Sequence, residues 1–244
     1  MSLRTLPRLL MVAVLLLPTP LLAQLRFQEG KHYQVVPAPQ ASGTVPAGKI
    51  EVAEVFSYLC VHCYHAQKLA RDIASSLPAD AAMAYVHAGF NSGWKTFQLG
   101  YVTAQLLGIA DRNHERMFTG IWETAEVPVF DPATGQARKQ PPTLEDVARF
   151  YAKGGGVTEA DFLKKARSPE GLQAQQHADS LVKAWAVGGT PTFVVAGRYR
   201  IESSSVGTVE EMKQLIAHLV NLERTRLRAA STGARAPQAT AKQD

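Results

Sequence analysis

Two cysteines, Cys60 and Cys63, stand three places apart in Cys-Val-His-Cys and are the only cysteines of the 244-residue chain. As a structural staple such a pair achieves little: closing so small a loop contributes about 2 kcal/mol before ring strain is subtracted. As chemistry it has more to offer, because neighbouring sulfurs can cycle between dithiol and disulfide. The attacking species in that exchange is the thiolate, and a thiol with a pKa near 8.5 is only about 3% ionised at neutral pH. A helix beginning at the motif would aim unpaired N–H groups and the positive dipole end at the Cys60 sulfur, and His62 could add a donor or a positive charge. Depressing the pKa further makes Cys60 a better leaving group and the oxidised pair a stronger oxidant. Other chemistry fits these residues less well. Cys60, His62, Cys63 and His65 would crowd four zinc ligands into six residues of one helix start, too compact for a tetrahedral shell. Covalent haem attachment needs histidine directly after the second cysteine, where Tyr64 stands.

Positioning the pair requires a rigid strand before it and a helix after it. Gly48–Ser57 alternates, with Ile50, Val52, Glu54 and Phe56 on one face and Ala53 and Val55 on the other, which predicts an interior strand covered on both faces. The following helix should run to Leu77, where Pro78 stops it, and a second strand should span Met83–His87. From Gly93 to Val187 the chain reads as successive helices. Trp94, Phe97, Tyr101, Ala104 and Leu107 recur at helical spacing, and a further helix is expected over Asp111–Glu126. Thr143 with Asp146, Thr158 with Asp161, and Ser168-Pro169 are helix-opening signals. Strand character returns at Pro191–Val195 and Tyr199–Ile201. A last helix from Thr208 follows, and the chain beyond Arg224 lacks apolar period and is expected to be disordered. The order implies an α/β unit interrupted by an all-helical segment.

The stretches Phe27–Tyr33 (FQEGKHY), Glu54–Tyr64 (EVFSYLCVHCY), His87–Phe90 (HAGF) and Val187–Val194 (VGGTPTFV) together resemble the DsbA family of periplasmic thiol oxidases. The resemblance implies an α/β thioredoxin fold with an inserted all-helical subdomain: a first part in residues 24–91, the insertion in 92–186, a second part in 187–224 and a tail in 225–244. It implies Cys60 as the attacking, substrate-linked cysteine, Cys63 as the resolving cysteine, and the two together as the redox-active disulfide. Pro191 would be the cis-proline; Thr190, Pro191 and Val61 would meet substrate, and Glu54 would be the buried acid beneath the pair. Two departures stand out. Val61 occupies the place of a usual proline, and the lysine and second acid often near Glu54 are replaced by Tyr85 and Gln67.

Arg4 and Arg8 precede the apolar run Leu9–Leu17, interrupted soon after by Pro18 and Pro20, which predicts a cleavable signal peptide over residues 1–23. Its removal takes the formal charge from +5 to +3. With 46% apolar and 19% charged residues and no clustered basic block, the chain is neither fibrous nor wholly disordered, and no nucleic-acid partner is expected. The reading is an exported monomer that introduces disulfides into unfolded proteins bearing free thiols. It needs no cofactor and no metal, and the resemblance implies re-oxidation by a DsbB-like membrane quinone reductase. A disulfide isomerase or reductase of the same fold, and a non-catalytic peptide-binding chaperone, are the alternatives.

Overall fold

The computed structural model describes residues 26–131 and 133–233. The expected signal peptide lies outside the described residues, as do positions 234–244. A short strand β1 (Gln34–Val35) is followed by β2 (Ile50–Phe56), helix α1 (Val61–Ser76) and β3 (Ala81–His87). Five helices come next: α2 (Ser92–Leu106), α3 (Ala110–Trp122), α4 (Leu144–Lys153), α5 (Glu159–Ala166) and α6 (Pro169–Ala184). Strands β4 (Thr192–Val195) and β5 (Tyr199–Glu202) and helix α7 (Val209–Gly233) complete the described chain. The sheet order is β1-β5-β4-β2-β3, with β2 parallel to β3 and antiparallel to β4, and β4 antiparallel to β5.

All seven residues of β2 are buried, as an apolar strand covered on both faces requires. Ile50 and Val52 pack with Ile73 of α1 and with Leu215, Ile216 and Leu219 of α7. Ala53 and Val55 face the other way, against Leu181, Val182 and Trp185 of α6. Each such fully buried aliphatic side chain contributes roughly 1.5–3 kcal/mol, so the two layers hold β2 rigidly in place. The third cluster joins Phe56, Tyr58, Cys60 and Cys63 to Phe97, Tyr101, Met117 and Phe118 of the inserted helices. The cysteine pair therefore sits on the seam between sheet and insertion.

The helix-opening signals act as their chemistry suggests. The Thr143 hydroxyl accepts from the Asp146 N–H while Asp146 returns the bond to the Thr143 N–H, and Thr158, Ser168 and Thr208 each accept from an N–H three residues on. Three differences from the sequence reading have local causes. Strand β1 is too short to carry a period, yet Gln34 and Val35 pair with Arg200 and Tyr199 of β5. Helix α3 ends at Trp122 rather than Glu126. The Glu123 and Thr124 N–H groups both turn back to the Thr119 carbonyl, and Ala125 adopts a left-handed φ of 53°. Finally, α7 runs on to Gly233, so the expectation of a disordered tail from 225 is corrected for 225–233. That part has no face to bury, with Leu227 exposed, but it is rich in good helix formers and braced by the Arg226–Glu223 pair at 2.6 Å.

Candidate active site

Cys60 is the N-cap residue of α1, with extended dihedrals and its carbonyl already accepting the first helical bond from Tyr64 N–H at 3.0 Å. The N–H groups of the first turn consequently point at its sulfur. Both cysteines are free thiols, Cys63 almost fully buried and Cys60 8% exposed. The Cys60 pKa is lowered to about 5: the Cys63 thiol hydrogen-bonds the thiolate, and the Thr190 side chain and the N–H groups of Cys63 and His62 add to it against the cost of burial. Cys63 is driven the opposite way, first by burial, then by its hydrogen bond to Cys60 and the charge of Glu54. One sulfur is built to ionise and the other to hold its proton. The His62 imidazole itself is exposed, and its residue reaches the sulfur through its backbone N–H.

The cis Thr190–Pro191 bond opens β4 directly across from the motif. The Cys60 Sγ lies 3.3 Å from the Thr190 carbonyl oxygen, to which the thiol can donate. The Thr190 hydroxyl is buried without another hydrogen-bond partner, leaving it to donate to sulfur once Cys60 ionises. Val61, 40% exposed, gives the motif itself an apolar surface residue, and Phe90, 45% exposed, packs on Trp94 of α2. Leu59, just before the motif, lies 3.8 Å from the place a side chain at Gly93 of α2 would take.

Glu54 lies on β2 in register with Tyr85 of β3 and Phe193 of β4, 3% exposed. Burial, and secondarily the Cys60 charge, raises its pKa to about 8, so the carboxyl is largely protonated at neutral pH. Behind it a cavity of about 10 Å³ also touches Cys63, Gln67, Tyr85 and His114. Sequence reasoning thus identified Cys60, Cys63, Glu54, Thr190 and Pro191 as neighbours, and the fold brings them together. It missed His114 and Tyr58. His114 stands on α3 four places after Ala110 and four before Phe118, both buried, so helical spacing alone could have placed it on the inner face. Burial lowers its pKa to about 4, and its Nδ1 lies 3.3 Å from the Tyr58 hydroxyl. Tyr58 anchors the turn before the motif. Its N–H donates to His87 Nε2 at 3.2 Å and its carbonyl accepts from Trp122 Nε1 at 2.9 Å. His87, fully buried with its pKa lowered to about 3 by burial, stays neutral with Nδ1–H on the Ala88 carbonyl at 2.8 Å.

No protein-family model matches the chain. Individual proteins do. It is 34% identical over 196 residues to the thiol:disulfide interchange protein DsbA of Bordetella pertussis, covering 80% of this chain and 85% of that protein. With its counterpart from Pseudomonas aeruginosa the figures are 31% over 201 residues, 81% and 86%. The crystal structure of DsbA from Xylella fastidiosa superposes with a TM-score of 0.69 at 31% identity, covering 81% of this chain and 98% of that one. Pseudomonas aeruginosa DsbA superposes with a TM-score of 0.69 at 29% identity, covering 83% and 97%. The five-stranded sheet with helices α2–α6 inserted is accordingly a thioredoxin fold with a helical insertion. A chain with this fold, a paired low-pKa and high-pKa sulfur, and relatives of this identity and coverage belongs to the DsbA family of disulfide-introducing thiol:disulfide oxidoreductases.

Proposed function

We propose that Cys60 is the sulfur through which this oxidoreductase exchanges its disulfide, that Cys63 resolves the intermediate, and that Glu54 handles the Cys63 proton. A substrate thiolate attacks Cys60 of the oxidised pair; the Cys60–Cys63 bond breaks and Cys63 departs with the bonding electrons. Because burial disfavours the Cys63 thiolate, it takes the proton held by Glu54. A second substrate thiolate then attacks the substrate sulfur of the mixed disulfide and expels Cys60. That departure needs no proton, since Cys60 is stable as a thiolate down to about pH 5. Two electrons pass from substrate to enzyme, and the substrate leaves with a disulfide. The contrast between the two sulfurs is the observation that carries this reading.

Thr190 and Pro191 form the rim on which an extended substrate chain would lie, with Val61 offering apolar contact. A DsbA of similar fold from Proteus holds a non-covalently bound peptide. The substrates are exported proteins with free thiols, a DsbB-like membrane reductase restores the disulfide, and the signal-like residues 1–23 direct the chain to the periplasm, where it works as a monomer. Among the described residues no helix is long and apolar enough to cross a membrane.

The decisive experiment uses a reduced, unfolded protein as substrate. Each single-cysteine variant is first charged with an aromatic disulfide, which supplies the oxidising equivalent a lone thiol lacks. In Cys63→Ser a substrate thiolate should displace the aromatic thiolate from Cys60 and accumulate linked enzyme, whereas Cys60→Ser should neither oxidise nor trap substrate. Trapping through Cys63 in the Cys60→Ser variant would reverse the assignment. A double variant that still assists refolding at full efficiency would favour the chaperone.

A further inference from the structure

The Cys60 thiolate is stabilised only where the first-turn N–H groups and Thr190 meet the sulfur, so the sulfur must be held in place. Its seat is the turn Ser57–Cys60, which joins the end of β2 to the start of α1. A buried turn has to satisfy its backbone polar groups, and the partners differ in kind. The Cys60 N–H donates to the Ser57 carbonyl at 3.1 Å, and the Leu59 N–H donates to the Ser57 hydroxyl at 3.2 Å. Both bonds lie within the turn and set its shape. Its place is set at Tyr58. The Tyr58 N–H is held by His87, which belongs to the same sheet as β2 and stands in register with Phe56. The Tyr58 carbonyl accepts from Trp122 Nε1 at 2.9 Å, and Trp122 comes from the inserted helices.

Trp122 is the last residue of α3, and the way that helix ends fixes it. The Glu123 and Thr124 N–H groups fold back on the Thr119 carbonyl, and the Val127 N–H donates to the Gly120 carbonyl at 3.0 Å. The indole packs on Phe130 with ring centroids 4.7 Å apart, and stacks on Tyr64 of α1 at 5.7 Å with an interplanar angle of 21°. The Tyr64 N–H in turn donates to the Cys60 carbonyl. Trp122 therefore grips the chain two residues before the sulfur and one helical turn after it.

We infer that Trp122 is a positioning residue for Cys60: its indole N–H, delivered from the end of α3 to the Tyr58 carbonyl, fixes the turn that seats the sulfur against Thr190. The inference rests on the reading of Cys60 as the exchanging sulfur. An indole has a single donor and no acceptor, and here that donor is committed to the Tyr58 carbonyl. With the donor removed, the carbonyl turns towards water and takes the Ser57–Cys60 turn with it. Hydrogen bonds weaken steeply with distance and angle, so a displaced thiolate loses part of what Thr190 and the first-turn N–H groups give it. The disulfide form draws little on those donors and loses less. Trp122 thus acts on the sulfur through the Tyr58 backbone, and the insertion has a part in setting the oxidising strength of the pair.

The test compares variants of the full chain by ultraviolet titration of the reduced protein and by equilibration with glutathione. Trp122→Phe keeps an aromatic ring against Tyr64 and Phe130 and removes the donor. The Cys60 pKa should rise by about 0.5–1 unit, and the pair should become roughly three- to tenfold less oxidising, one unit being a tenfold change. Site-specific replacement of Trp122 by benzothienylalanine keeps the bicyclic shape and puts sulfur in place of the N–H. It should reproduce the rise, and it decides the matter if Trp122→Phe does not fold. Phe130→Leu loosens the packing of the indole but retains its N–H; it should lower the melting temperature and leave the titration in place. An equal rise in Phe130→Leu would show that packing, and not the donor, seats the sulfur, and would overturn the inference. So would an unmoved titration in both Trp122 replacements beside a parent whose Cys60 ionises near 5. A parent Cys60 that ionises only at about 8.5, as a free cysteine does, would remove the reading of Cys60 itself.

Discussion

The Cys60 Sγ lies 3.3 Å from the carbonyl oxygen of Thr190, a residue 130 positions further along the chain. That contact joins the helix-start half of the site to the strand-start half, and it places the Thr190 hydroxyl in the same buried space. Sulfur in its thiol form has an acceptor there, and sulfur in its thiolate form has a donor. Thr190→Val keeps the shape and removes the donor. Ultraviolet titration of the reduced protein should then show a higher Cys60 pKa, and equilibration with glutathione should show a weaker oxidant. An unchanged titration would mean that the helix start and the Cys63 thiol alone set the thiolate.

His62 bears on the same sulfur by a different path. Its N–H group donates to the thiolate, and alanine keeps that N–H. His62→Ala should therefore leave the Cys60 pKa close to that of the parent and well below that of a free cysteine. Recovery of the full value near 8.5 in the same titration would show that the imidazole, and not the backbone, holds the thiolate.

The Cys60 shift makes stability depend on redox state and pH together. Its folded pKa, about 5, is depressed below the ordinary value, so the stabilisation is fully present above the unfolded pKa and lost as pH falls through about 5. At pH 7 about two units are realised, at about 1.4 kcal/mol each. The oxidised pair has no thiolate and gains only the small benefit of a short loop, about 2 kcal/mol less strain. Thermal unfolding should find the reduced form the more stable at pH 7, with the gap closing or reversing near pH 5. A gap that widens on acidification would contradict the assignment of the low pKa to Cys60.

Much of this was legible in the residues because local signals and global fold agree. Alternation marked β2, threonine caps marked α4, α5 and α7, and the motifs around Cys60 and Pro191 fixed which distant segments must meet. What stayed hidden depended on packing between segments with no shared local signal. His114 reads as one polar residue on a helix, and only the docking of α3 against β2 and β3 places it at the Glu54 cavity. The extension of α7 past Arg224 was missed for the opposite reason: a helix without a buried face has no period to detect.

Glu54 itself makes the protein less stable, and this is measurable apart from activity. Its pKa is raised to about 8 by burial, so the unfolded chain ionises near 4.5 while the folded chain resists. The sign is the reverse of the usual carboxylate: no penalty exists below about pH 4.5, and it grows as pH rises until the folded group ionises near 8. At about 1.4 kcal/mol per unit, the penalty at pH 8 is on the order of 5 kcal/mol. Replacing Glu54 with Gln removes the ionisation and leaves a neutral side chain of similar shape. Denaturant unfolding of both proteins should show Glu54→Gln gaining stability between pH 5 and pH 8 relative to the parent, with little difference at pH 4. The gain should accompany a slower Cys63 step, as expected of a strained acid retained for its proton chemistry. Equal stability of the two proteins across that range would mean that water reaches the Glu54 carboxyl freely, and that the group is an ordinary carboxylate at neutral pH.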